Sequence, residues 1–190
     1  MSPRILLVAE GGSDEVIAEA ILRWKYPTAT IDRKGFPARG FRVVHRSTKT
    51  VARAAHFGHY DLLVVHFDLD DSLVSDPFDP TRSVRIQAIR DIIEQTFDQL
   101  PAAGRSCRSR CSLMAARQST DAWVAWGSAG GIGCEWEKKD RRQVKAMLYK
   151  SPPRNMIEKA TEYAPGLLER MRTEAHDQWP ASLLAFFQSL

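Results

Sequence analysis

Cysteine is scarce in this 190-residue chain, which has only Cys107, Cys111 and Cys134. An odd count with no secretion signal argues against a disulfide framework. Cys107 and Cys111 with Cys134 and a histidine make a weak zinc pattern, and reduced, partly buried thiols are expected. No apolar run approaches the roughly 20 residues of a membrane helix, so no membrane association is expected. The opening Met1-Ser2-Pro3-Arg4 and the short apolar run after it lack a signal peptide's long apolar region and cleavage site. The expected location is the cytoplasm. Glycine (11) and proline (10) are not in excess, so most of the chain is expected to be ordered. Internal repeats and clear linkers are lacking as well.

Apolar residues make up 44% of the chain, enough for a real core. Apolar runs predict strands at residues 4–9, 41–45, 60–67 and 111–116. Helices are predicted at about 13–24 and 48–57, and along an amphipathic stretch with Val84, Ile86, Ile89, Ile92, Ile93 and Phe97 on one face. Ser13 is the expected cap of the first helix, with Asp14 and Glu15 in its first turn. Residues 26–40 read as a loop with room for a short strand. A short helix is predicted at 120–126. After a glycine-rich loop at 127–133, further helices are predicted at 138–149, 154–163, 166–175 and 181–188. Strands alternating with helices predict an α/β fold, with a parallel sheet of about four strands flanked by helices. The expected organisation is an α/β core over residues 1–126 and a helical C-terminal extension over 127–190 packed on it.

The net charge of +4 is unevenly spread. Residues 1–100 carry 13 Lys/Arg against 14 Asp/Glu, a balance of −1, and residues 101–190 carry 14 against 9, a balance of +5. Acid in one half and base in the other suits a site that holds a metal and receives phosphate.

The sharpest local feature is the run Leu62-Leu63-Val64-Val65-His66-Phe67-Asp68-Leu69-Asp70-Asp71. Side chains two apart on a strand share a face, so Asp68 and Asp70 are expected together where the strand ends. Two close like charges need a cation, or one must stay protonated. A second acidic unit, Glu10 and Asp14, follows the first apolar run. In open parallel sheets ligands bind outside the carboxyl ends of strands, where Glu10, Asp68 and Asp70 all fall.

Glu10-Gly11-Gly12-Ser13-Asp14, after a strand and opening a helix, resembles the first motif of the TOPRIM domain. Asp68-Leu69-Asp70 resembles that domain's second, Asp-x-Asp signature. The domain is shared by topoisomerases, bacterial primases, small RNA-maturing nucleases and nucleases of the overcoming-lysogenization-defect family. The resemblance covers roughly residues 4–120. Gln118-Ser119-Thr120-Asp121-Ala122-Trp123 also looks like a segment of small TOPRIM-like bacterial proteins, some in phage defence, where a glutamate more often stands at the position of Asp121. The resemblance implies a TOPRIM-like Rossmannoid sheet and a Mg2+- or Mn2+-dependent nuclease acting on DNA or RNA. It implies that Asp68 and Asp70 hold metal and that Glu10 binds metal or acts as general acid/base. Asp14 and Asp71 are supporting ligands in that scheme. Lys138, Lys139, Lys145 and Lys150 are candidate cations for the phosphate. A homo-oligomer or larger complex is compatible with it.

Two rival readings stand beside this one. A chain that kept the fold can act as a non-catalytic module that binds nucleic acid or protein. Phe67-Asp68-Leu69-Asp70-Asp71-Ser72-Leu73 also resembles the first motif of haloacid-dehalogenase-type phosphatases, with Asp68 as nucleophile and Asp70 as acid/base. That motif normally lies on the first strand, whereas over 60 residues precede it here. Three further features have a functional and a packing reading. The Gly127–Gly133 loop is a phosphate cradle without a P-loop lysine, or a hinge. His66 is a site residue or a core histidine. Trp123, Trp126 and Trp136 stack bases or fill the core.

Overall fold

Alternating apolar side chains on short strands organise the molecule around a sheet with two covered faces. The computed structural model describes residues 2–38, 40–69, 79–101, 110–149 and 155–190. Its elements begin β1 (Arg4–Ala9), α1 (Gly12–Lys25), β2 (Thr30–Gly35), α2 (Phe41–Phe57) and β3 (Leu62–Asp68). Then come α3 (Val84–Gln99), β4 (Arg110–Ala116), α4 (Thr120–Ala129), α5 (Gly133–Lys138), α6 (Arg141–Tyr149), α7 (Met156–Thr173) and α8 (Ala181–Ser189). The four strands are parallel in the order β2-β1-β3-β4. The α/β class, the parallel sheet and the flanking and C-terminal helices are those expected from the sequence.

Each central strand feeds both faces. Ile5, Leu7, Leu62 and Val64 join one core with α1, α4, α7 and α8. Leu6, Val8, Leu63, Val65 and Phe67 join the other with α2 and α3. The first core draws its residues from both sides of position 127, with Trp123 and Trp126 packed beside Leu167, Leu183 and Phe186. Among the described residues no helix is long and apolar enough to cross a membrane.

Several elements differ from the expectation, each for a physical reason. Residues 41–45 belong to a helix and not a strand: Val44, Thr48, Ala52 and Ala55 are buried at a spacing of three and four, and the whole segment winds as α2. The second strand is β2, whose Asp32, Arg33 and Lys34 hide it from an apolar search. It is an edge strand, where charge is the usual protection against stray pairing. One helix, α7, stands where two were expected over 154–163 and 166–175, and it continues through Pro165. The buried stripe Ala160, Ala164, Leu167 and Met171 against α1 and α4 outweighs the backbone bond that proline removes. Gly11, not Ser13, occupies the cap position of α1, and no side chain caps it. Residues 127–129 extend α4, and the carbonyls of Gly130 and Gly131 accept the Trp136 and Trp126 indole N–H groups. The glycine segment is therefore pinned, and all three tryptophans are buried in the core rather than offered for stacking.

Candidate metal centre

The chain order creates a switch point between β1 and β3. β1 is followed through α1 by β2 on one side, and β2 is followed through α2 by β3 on the other. Crevices at such points collect ligands. Here a cavity of about 300 Å3 opens, with Glu10, Asp14, Asp68, Asp121, Arg141 and Lys145 among its lining.

Glu10 directly follows β1. Its Oε2 accepts the Asp68 backbone N–H at 2.9 Å, and its Oε1 accepts the Gly40 N–H at 2.7 Å. One carboxylate thus ties the ends of β1 and β3 to the start of α2. Each oxygen keeps a lone pair for a further partner. Asp14 stands in the first turn of α1, where a negative charge complements the helix dipole. Its Oδ1 accepts the Thr120 hydroxyl.

The period of two along β3 places His66 and Asp68 on the same side as Val64, facing α1. His66 is fully buried between two acids: its Nδ1 is 4.0 Å from Asp14 Oδ2, and its Nε2 is 3.5 Å from Asp68 Oδ1. One ligand atom from each of Asp14, His66 and Asp68 lies within 4.8 Å of the others. Burial alone would push the His66 pKa down. The carboxylate of Asp14, then those of Asp68 and Glu10, outweigh it and carry the imidazole up to about 9. Burial also raises Asp68, against the pull of His66 and Arg141.

α6 supplies the opposite wall. Asp140 Oδ1 accepts the backbone N–H groups of Arg142 (2.9 Å) and Gln143 (3.2 Å), capping the helix. Arg141, Lys145 and Tyr149 then share one face at a spacing of four. Arg141 Nη2 donates to Asp68 Oδ2 at 2.8 Å. Lys145 Nζ lies 3.6 Å from Asp121 Oδ2, and the Tyr149 hydroxyl donates to Asp121 Oδ1 at 2.7 Å. Asp121, buried in the first turn of α4, also accepts from the Ser119 hydroxyl at 3.1 Å.

The donor set fits a divalent cation. His66 Nδ1 and Nε2 and Asp68 Oδ1 are buried with no hydrogen-bond partner among the described residues, and an orphaned buried polar group calls for one. Imidazole with carboxylate suits manganese better than an all-oxygen preference such as magnesium's.

Of the residues singled out in the sequence, Glu10, Asp14 and Asp68 come to one cavity. Asp70 and Asp71 lie outside the described residues. Lys145 lines the site, Lys138 pairs with Glu135 at 3.5 Å, Lys139 covers the Trp136 ring, and Lys150 lies outside the described residues. Cys111 and Cys134 are free thiols, burial pushes Cys111 up to about 12, and Cys107 lies outside the described residues. Arg141 was missed, whereas His66 stood under two readings, a site residue or a core histidine, and it shares a face with Asp68. The signal for Arg141 was its four-residue spacing to Lys145 and Tyr149 behind a capping Asp140. The signal for His66 was its two-residue spacing to Asp68. The chain matches no protein-family model, no curated protein and no solved structure.

Proposed function

We propose that this protein is a divalent-metal-dependent phosphodiester hydrolase acting on DNA or RNA. The observation that carries the reading is the meeting of Asp14, His66 and Asp68 within 4.8 Å at the switch point of the sheet. Glu10 shares their cavity, and Arg141 and Lys145 face them across it. The resemblance of Glu10–Asp14 and Asp68–Asp70 to the TOPRIM motifs supports the same chemistry and a role in bacterial defence or nucleic-acid processing.

In this reading Asp14, His66 and Asp68 hold Mn2+ or Mg2+. The bound ion supplies an activated water and charge neutralisation at the phosphoryl group. Arg141 and Lys145 receive the non-bridging phosphate oxygens, and for that Arg141 gives up its bond to Asp68. Glu10, fixed by two backbone donors, would accept the proton of the attacking water as its oxygen bonds to phosphorus; the bond from phosphorus to the leaving sugar oxygen breaks, and that oxygen takes a proton from solvent. Purified protein with Mn2+ is expected to nick plasmid DNA or degrade RNA, and Asp68→Ala is expected to abolish that activity. Activity unchanged in Asp68→Ala refutes the assignment.

A second, non-catalytic reading draws on one observation. His66 lies between Asp14 and Asp68, and Arg141 bonds Asp68, so the chain's own cations offset these charges. Nucleic-acid binding that persists with no measurable uptake of Mn2+ favours it. The phosphatase reading fares less well, because one Asp68 oxygen is bonded to Arg141 and the other faces His66. It requires a trapped aspartyl-phosphate at Asp68.

A further inference from the structure

We infer that the exposed face of α2 is a docking track for the backbone of a nucleic-acid duplex, leading out of the cavity and read without regard to base sequence. The inference builds on the proposed function but rests on its own observation. α2 carries Arg42, Arg46, Lys49 and Arg53 and no acidic residue in 17 positions. α6, one of the helices that line the cavity, carries Arg141, Arg142 and Lys145 and likewise no acid. These seven cations exceed the whole chain's net charge of +4, so everything else sums to −3. Counting charge by halves of the sequence conceals this, because α2 lies in the half that balances to −1. In contrast, α1, α3 and α7 each mix both signs, as solvated faces commonly do.

Geometry turns the composition into a row. At 3.6 residues per turn, positions 42, 46, 49 and 53 fall within an arc of about 60° and span about 16 Å of helix. All four residues are exposed. Among the described residues none of them makes an ion pair, a hydrogen bond or a ring contact. Arg42 also stands in the first turn, where the helix dipole disfavours a cation. Folding stability therefore gives no reason for a cation at that position. A row of about 16 Å is long enough to meet successive phosphates of a duplex backbone. The row begins at the cavity, because Gly40, which precedes α2, lines the cavity and bonds Glu10.

The occupant follows from what the face lacks. The apolar side of α2 is spent on the sheet, through Val44, Thr48, Ala52 and Ala55. Between Arg42 and Arg53 no large apolar side chain is exposed; exposed Phe57 stands one turn beyond, a single ring where a membrane anchor needs an apolar face. The tryptophans are buried, Phe41 packs on Phe67 with ring centroids 5.8 Å apart, and exposed Phe57 stands past the end of the row, so no succession of rings lies along it for the bases of an unstacked single strand. A regular polyanion remains.

The test uses the full chain in EDTA with a fluorescent 20-base-pair DNA duplex in two unrelated sequences. Binding is measured from 50 to 200 mM salt for the wild type and for R42Q/R46Q/K49Q/R53Q. With a slope of about −0.9 per phosphate contact, four contacts account for about a 100-fold loss of affinity across that range. The variant is expected to bind at least tenfold more weakly at 100 mM salt, with a slope shallower by about 3.6 and no preference between sequences. Arg23→Gln/Arg172→Gln, remote from α2, is expected to bind as wild type. Circular dichroism confirms that the quadruple variant folds. Wild-type affinity and slope in the quadruple variant overturn the inference. So does failure of wild type to bind the duplex while it binds phosphatidylserine vesicles. EDTA separates this result from catalysis: an Asp68→Ala variant that still cleaves removes the proposed enzyme while leaving the track in place.

Discussion

Replacing His66 by glutamine probes the charge balance at the floor of the cavity. In the metal-free protein the imidazole is carried from its ordinary 6.5 up to about 9 by Asp14, Asp68 and Glu10, against a burial effect of opposite sign. At about 1.36 kcal/mol per tenfold in proton affinity, that gap is worth about 3 kcal/mol. A base held above its unfolded value stabilises fully below pH 6.5 and loses that contribution as the pH rises through about 9. For a chain of this size each kcal/mol moves Tm by about 2–4 °C, so the effect is about 6–12 °C. Thermal unfolding in EDTA is the assay. His66→Gln is expected to melt lower than wild type by about that amount at pH 6.5, and the two curves converge by pH 9. Manganese changes the picture, because a ligating imidazole must be neutral. Titration calorimetry of the wild type in buffers of different ionisation heat is expected to show close to one proton released per ion at pH 7. A variant with the wild-type pH profile, or manganese uptake without proton release, refutes the proposed balance of charges.

Two predictions concern the scaffold behind the site. Glu137, 1% exposed on α5, accepts the Ala181 N–H at 2.9 Å, the Ser182 N–H at 3.1 Å and the Ser182 hydroxyl, and so caps α8 from across the core. Glu137→Ala leaves the half-buried Ala181 N–H and the buried Ser182 N–H unpaired, and a loss of about 2–4 kcal/mol is expected. Chemical denaturation reads the loss, and a midpoint equal to wild type removes the cap from the account. Gly133→Ala would place a methyl group 2.1 Å from the Pro180 nitrogen and 2.3 Å from the Trp179 carbonyl carbon. Both neighbours are backbone, so a loss of about 1–3 kcal/mol or more is expected from overpacking. An unchanged Tm contradicts the close approach of α5 to the start of α8.

How far the site was legible varies residue by residue. Asp68 announced itself, because an acid ending a run of buried apolar residues has few structural uses. Glu10 and Asp14 were visible as acids around a strand-to-helix turn. Their distinct jobs were not, since whether a carboxylate faces a backbone donor or a histidine depends on what packs opposite. Asp68 was expected to pair with Asp70 at a spacing of two. The same rule also pairs it with His66, on the buried side, where the described residues show the neighbour. Arg141 and Lys145 come from residues more than 70 positions beyond Asp68, and no local pattern relates them to it.

The sequence by itself determined the class of fold, since apolar runs short enough for strands alternate with helical periods and only a parallel sheet buries both. It also determined three acids of the site, Glu10 and Asp68 at strand ends and Asp14 in the first turn of α1, because strand termination and helix starts are local properties. Tertiary structure decided the rest. It made a helix of residues 41–45 by giving a three-and-four spacing something to pack against. It set His66 between two carboxylates and brought Gly40, just before α2, and the distant α6 to one crevice. Charge and proton affinity depend on distance through space, and strand order, which no single segment encodes, sets those distances.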